Sequence, residues 1–386
     1  GWGPGTVVDF AITTTPEQVG GVGEEGPQIS NVYGSRSLHR LLFVEPSSTA
    51  LTNFLATDTG REEFQRRVLS APQTVLNNTG AMNAIVGSQP ALDMLLINPA
   101  VAGAITLSRT AMNSVISNDA ALAAVVASPA AMNSVVSSSA AMNTAANSSK
   151  AMNAIVGSST AMSVLAATPN AVITVATTPS AMFLVASNTA AITTLANSTT
   201  AMTALANNPE AITAFVSIPA ALDQLTQSFS ALNVVAASPT ARAALISDPD
   251  ALALIKQRSV ALGKIVAAQA GLDPAQFSDA SSVVASPSAM SAVANNGTAR
   301  ALVLSADLTR DLIVNNEIAV GKVAAGLANI DATLFSSAGE ITGQRLIKVF
   351  DTATAWDLLV NAPAGVASLA ASRDAMFTIA QNQAIY

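Results

Sequence analysis

From Ala81 to Ala270 the sequence repeats every ten residues, and that period limits what the chain can fold into. The numbering runs in step with it, so residues 81–270 divide into nineteen decads. The first position of each is alanine, with Val101 the one exception. The second is Met, Leu, Ile, Val or Ala except at Arg242, and the fifth is apolar throughout, from Ile85 and Leu95 to Ile265. The sixth is usually apolar. On a helix, positions 1, 2, 5 and 6 fall within about 140° of arc, one amphipathic face. On a strand they would point to both sides in no alternating order. Ala and Met are also strong helix formers.

One continuous helix does not fit this period. Ten residues advance a helix by roughly 1000°, about 80° short of three whole turns, so the apolar stripe would wind away from any partner. A break in each decad is encoded. Position 8 is mostly Ser, Asn or Thr, which cap helix starts, and position 9 is often proline, the favoured first helical residue. In "ASPTARAAL" (237–245), Ser238 reads as the cap and Pro239 as the first residue. Each unit is then a two-turn helix of about 12 Å, too short to be stable alone and held by its neighbours. Alanine at position 1 lets backbones approach, and positions 2 and 5 fill the seam. The predicted fold class is all-α, a superhelical solenoid of short two-turn helices with a ten-residue repeat. A β-solenoid is the alternative, since Ser, Thr and Asn also suit the corners of parallel β-coils.

The period divides the chain. Residues 1–48 are Gly-rich and charged, lack the decad, and read as an irregular N-terminal docking region. Residues 49–270 are the decad-repeat solenoid, imperfect until Ala81. After a stutter at 271–278 the repeats continue over 271–328, a non-repeat insertion follows at 329–354, and 355–386 form terminal repeats or a cap. Of seventeen basic and twenty-four acidic residues, only twelve lie between 81 and 270, which makes the middle a shaft with ordinary surfaces at its ends.

Composition excludes several functions. The chain is 50% hydrophobic but only 4% aromatic, too apolar for disorder and too poor in large side chains for an ordinary mixed core. A net charge of −7 leaves nothing to neutralise phosphates, so no nucleic acid is expected. There is no cysteine, hence no disulfide and no thiolate ligand. Mean hydropathy of +0.45 and a charge-free run between Lys150 and Glu210 suggest a membrane. Polar residues in every decad and Pro169, Pro179 and Pro209 interrupt that run, so no membrane span is expected. No basic head followed by an apolar segment opens the sequence. A start at Gly1 rather than Met suits a processed chain or a piece of a longer one.

Candidate reactive residues are few, and each has a plainer reading. "GVGEEG" (21–26) matches the G-x-G-x-x-G pattern, but no βαβ unit surrounds it and Glu24 and Glu25 would repel a pyrophosphate. His39 is the only histidine, so it reads as a surface or docking residue rather than a ligand or triad member. Asp248 and Asp250, with Asp223 nearby, read as a helix cap and first-turn acid rather than a Ca²⁺ site. The methionines at 82, 112, 132, 142, 152, 162, 182 and 202 lie on the apolar face and read as core, not copper ligands. Threonines wander among positions, so no flat ice-binding rank forms. Asn-x-Ser/Thr triplets at Asn77, Asn147, Asn197 and Asn296 follow from composition. No catalytic, cofactor or metal residue is assigned, no cofactor is expected, and the chain does not read as an enzyme.

Strings such as "AMNAIVGSSTAMSVLAATP" and "ANSTTAMTALANNPEAITAF" resemble the Ala-Met decad repeats of bacteriophage tail-fibre and other virion-fibre proteins. The resemblance covers roughly residues 50–328 and the last thirty, and brings no catalytic residues with it. Residues 1–48 show no attachment motif of that family. The resemblance implies a virion or extracellular fibre shaft, often oligomeric, anchored at one end and reaching toward a host surface. Its partners would be further copies, other virion or appendage proteins, and a host-surface receptor. The alternative is a solenoid binding module for a protein or glycan.

Overall fold

A serine that caps one helix while bonding to another sets the local geometry of this chain. The computed structural model describes residues 38–383, and all its elements are helices, with no strand among the described residues. The β-solenoid alternative is therefore excluded. Most helices run eight or nine residues, as in Pro129–Ser137, Ser149–Gly157 and Pro239–Ser247. The residue at position 8 caps each in extended conformation. Ser128, Ser158 and Ser238 accept the amides of Ala131, Ala161 and Ala241, and Pro129 and Pro239 are first helical residues. Thr168 and Thr178 occupy the same place without a side-chain cap bond; Thr178 turns its hydroxyl to the Thr174 carbonyl instead.

The chain forms two compact units, residues 1–194 and 195–386. In the first, successive helices meet at 102° (Gln89–Ile97 with Pro99–Leu107), 94° (Asp119–Ala127 with Pro129–Ser137) and 105° (Ser159–Ala166 with Pro169–Ala176). Turns of this size return the chain alongside itself after three helices. Accordingly Thr79–Val86 packs on Arg109–Ser117, Pro99–Leu107 on Pro129–Ser137, and Pro129–Ser137 on Ser159–Ala166. The second unit repeats the rule: Phe229–Ala237 and Pro239–Ser247 meet at 102°, and Thr199–Ala206 packs on Phe229–Ala237.

Several cap serines tie the start of their helix to the end of the fourth helix before it. Ser108 donates its hydroxyl to the carbonyl of Leu76 at 2.8 Å, and Ser158 to that of Val126 at 2.8 Å. In the second unit Ser238 donates to Ala206 at 2.7 Å. Each bond spans 32 residues and ends on a last-turn carbonyl that has no partner in its own helix. The same oxygen thus starts one helix and satisfies the end of another. Ser158→Ala removes both bonds and should lower unfolding free energy by about 2 kcal/mol. Ser158→Asn keeps only the cap and should recover about half of that in urea unfolding.

Burial follows the decad. Positions 1 and 5 are buried throughout the regular repeats and positions 2 and 6 in most of them, as at Ala151, Met152, Ile155 and Val156. The eight methionines of position 2 are between 0% and 5% exposed, inside the helical core. Ala151 is 1% exposed. Ala151→Leu should therefore overpack the seam and cost about 1–3 kcal/mol, read as a lower melting temperature.

Candidate functional site

Residues singled out in the sequence do not assemble into a reactive cluster. The Gly-rich string 21–26 lies outside the described residues. His39 is half-buried, with its ring 5.3 Å from that of Phe43. Asp248 accepts the amides of Asp250 and Ala251 at 3.0 and 2.9 Å, a cap, while Asp223 pairs with Arg258 on another helix. The three aspartates are thus in separate roles. Asn296 caps Gly297–Ser305, and Asn77 accepts the Ser108 hydroxyl. Among the described residues no group of three or more His, Asp or Glu side chains is placed to hold a metal ion.

The most specific chemistry in the molecule lies in two lysines that the decad conceals. "GKIVAAQAGLDPAQFSDA" (263–280) returns 58 residues later as "GKVAAGLANIDATLFSSA" (321–338). In both copies an eleven-residue helix, Ser259–Gln269 or Glu317–Leu327, replaces the two-turn unit. Lys264 is 0% exposed and Lys322 4%. The Lys264 ammonium donates to Asn233 Oδ1 at 2.6 Å and to the carbonyls of Pro274 at 3.1 Å and Phe277 at 3.0 Å. The Phe229 ring covers it at 3.5 Å, a cation–π contact. Lys322 repeats the set on Ser291 Oγ at 2.8 Å and the carbonyls of Ala332 and Phe335, both at 2.9 Å.

An ammonium has three protons, and here all three are bound. Burial pushes both lysines below their ordinary value. Asp273 pulls Lys264 back up, and Glu340 with Asp331 does so for Lys322. The helix preceding each loop ends in a left-handed residue, Gly271 (φ 82°) or Asn329 (φ 53°), which turns the chain so that its carbonyls face the ammonium. With every proton engaged by the protein, each lysine acts as a clamp holding a loop of 3₁₀ turns to the helical stack.

Asp331 stiffens the second loop. Its carboxylate is held below the usual range by the Thr333 amide, then by the Asn295 amide and the Thr333 hydroxyl, with Lys322 adding to the effect. A depressed carboxylate stabilises the fold above its unfolded value of 3.8, and that contribution is lost as pH falls below it toward the folded value. Asp331→Asn should therefore lower stability at pH 7 and flatten the loss of stability as pH falls below 3.8, measured by urea unfolding across pH.

One open surface groove stands out in the first unit. Among the nineteen decads only Ser139–Ala146 carries alanine at position 5, Ala145, beside Ala146. Both alanines are buried on the core side; on the nearby surface lies a groove of about 610 Å³ lined by Leu107, Arg109, Asn113, Asn143, Thr144 and Asn147. Arg109 is exposed there without a hydrogen bond or ion pair among the described residues. An unpaired guanidinium beside amides suits a hydrogen-bonding ligand better than an apolar one.

Comparison with known proteins adds no assignment: no family model and no curated protein matches the chain.

The decad hid the lysine clamps because Lys264 stands at position 4 of the last regular decad, where a charge reads as solvated surface. The 58-residue echo of Gly-Lys, Asp and Phe was the signal that identifies them.

Proposed function

We propose that this chain is a superhelical solenoid and that it serves as a structural subunit, the shaft of an extracellular or virion fibre or appendage. One observation carries the reading: the same serine bond, 32 residues back, recurs at Ser108, Ser138 and Ser158 in one unit and Ser228 and Ser238 in the other, each time tying the start of a helix to the end of the fourth before it. A packing step that repeats unchanged can be extended without limit, which suits a part whose work is length. The low charge of residues 81–270 supports the same reading, as a surface that faces other copies or other virion proteins. No assembly of reactive groups competes with it among the described residues, and the resemblance to phage fibre repeats points the same way. Negative-stain micrographs of the native particle test it: the shaft reading expects this chain along a filament or spike, and isolated compact particles would reject it.

The groove beside Arg109 favours a second reading, a solenoid binding module for a polar or acidic glycan. Glycan-array binding that is lost in Arg109→Ala would support it, and an unchanged profile would remove it.

A further inference from the structure

The first and the last helices of the described residues leave different repeat positions uncovered. In Ser48–Leu55 the cap Ser47 accepts the Ala50 amide, which sets Ala50 and Phe54 at positions 1 and 5 and Leu51 and Leu55 at positions 2 and 6. Leu51 and Leu55 are 0% and 1% exposed, whereas Ala50 and Phe54 are only half-buried. The last three helices, Ala353–Asn361, Pro363–Ala371 and Arg373–Gln383, show the reverse. Their positions 1 and 5 stay covered, fully at Ala355, Leu359, Gly365, Leu369 and Ala375. Their positions 2 and 6 are open, with Val360 38%, Val366 46% and Met376 45% exposed. In the regular repeats positions 1 and 5 are buried throughout and positions 2 and 6 in most units, because each helix is covered by the third before it and the third after it.

Partial openness at positions 2 and 6 is not unusual in the second unit, where Ile246, Leu252, Leu304 and Val314 are half-buried beside Arg242, Lys256, Arg300 and Arg310. Exposure of a large apolar side chain at those positions is, among the described residues, confined to the last helices. Terminal repeats of stacked arrays are ordinarily polar on their outer face. Here the outermost helices carry Val360, Val366, Met376 and, beside them, Phe377 at 62% exposure. An apolar face of this kind marks an interaction site.

We propose that this face receives the Ser48–Leu55 helix of a second copy, continuing between molecules the third-neighbour packing that each unit uses within itself. The second copy is the fitting occupant because its Ala50 and Phe54 present the positions 1 and 5 that each such seam requires. The contact is head-to-tail and does not close on itself, so it adds copies in series. This proposal rests on the shaft reading and names its partner.

The test uses the 386-residue chain in sedimentation equilibrium, with circular dichroism to check that each variant is folded. Wild type should associate in a concentration-dependent series. Val366→Glu with Met376→Glu blocks one face and Phe54→Glu the other, and each variant alone should associate at least tenfold more weakly. Mixed in equal amounts, the two variants should form dimers and nothing larger, since one intact face of each kind remains. Wild type that stays monomeric at about 100 μM, where a specific contact is populated, overturns the proposal. So does a Phe54→Glu chain that still pairs through its last helices, or a face kept covered by residues 1–37, by 384–386 or by further polypeptide. Micrographs of a native shaft built from a chain that is monomeric in solution would overturn this contact and leave the shaft reading standing.

Discussion

Lys322→Met is expected to lower the unfolding free energy of the second unit by about 2–4 kcal/mol, the scale for leaving one or two buried carbonyl acceptors without a donor. The methylene stem is nearly conserved, so the loss is not one of packing. What disappears are the three donors that hold Ser291 Oγ and the carbonyls of Ala332 and Phe335. Ser291 can turn to Pro287, whose carbonyl it already reaches at 3.1 Å, but the two loop carbonyls are left without that donor. Each buried acceptor so abandoned costs about 1–3 kcal/mol. For a unit of this size the change corresponds to a fall of roughly 10 °C in melting temperature. The exposed Lys150 is the control: it pairs with Asp119 at 2.7 Å with its side chain 43% exposed, and Lys150→Met should cost at most about 1 kcal/mol. Calorimetry of both variants separates a clamp from an incidental lysine, and equal small shifts would show that the loop does not depend on the ammonium.

What could be read from the sequence is what the decad repeats locally. Caps at position 8, proline at position 9 and burial at positions 1, 2, 5 and 6 are properties of ten consecutive residues, and Ser238, Pro239, Ala241 and Leu245 sit where that pattern puts them. Two features were not local. The second bond of Ser108, Ser138, Ser158, Ser228 and Ser238 reaches 32 residues back, a distance fixed by the angle between successive helices and not by any one repeat. The clamps depend on Lys264 meeting Pro274 and Phe277, which an α-helical pattern cannot anticipate because the chain leaves the helix at Gly271. The irregular strings at 271–278 and 329–354 read as interruptions; both contain the carbonyls that the lysines hold. The groove beside Arg109 was not legible in the sequence, because its lining comes from separate helices brought together by the fold.

Gly263→Ala is expected to destabilise the second unit by on the order of 3 kcal/mol or more, while the same substitution at Gly157 should be neutral or stabilising by up to about 1 kcal/mol. Both glycines lie in helices with ordinary backbone angles, so intrinsic helix propensity favours alanine at each. The surroundings differ. A Cβ on Gly157 meets nothing within 4 Å. A Cβ on Gly263 would lie 2.2 Å from the carbonyl carbon of Asp279 and 2.4 Å from the amide of Ala280, both backbone atoms that cannot rotate away. Asp279 also caps the next helix, Ala280–Ala285, through a reciprocal pair of bonds with Ser282, so any retreat of the chain disturbs that start as well. A Cβ on Gly321 would lie 2.5 Å from the Ala338 amide nitrogen in the second copy of the motif, and Gly321→Ala should behave like Gly263→Ala. The Gly-Lys pair thus has one purpose in both copies: glycine admits the crossing chain and the adjacent lysine fastens the loop that brings it there. Opposite signs at positions 157 and 263 in parallel melting curves are the expected result. Like signs would mean that the crossing yields to a methyl group and that close approach is not why glycine stands beside each lysine.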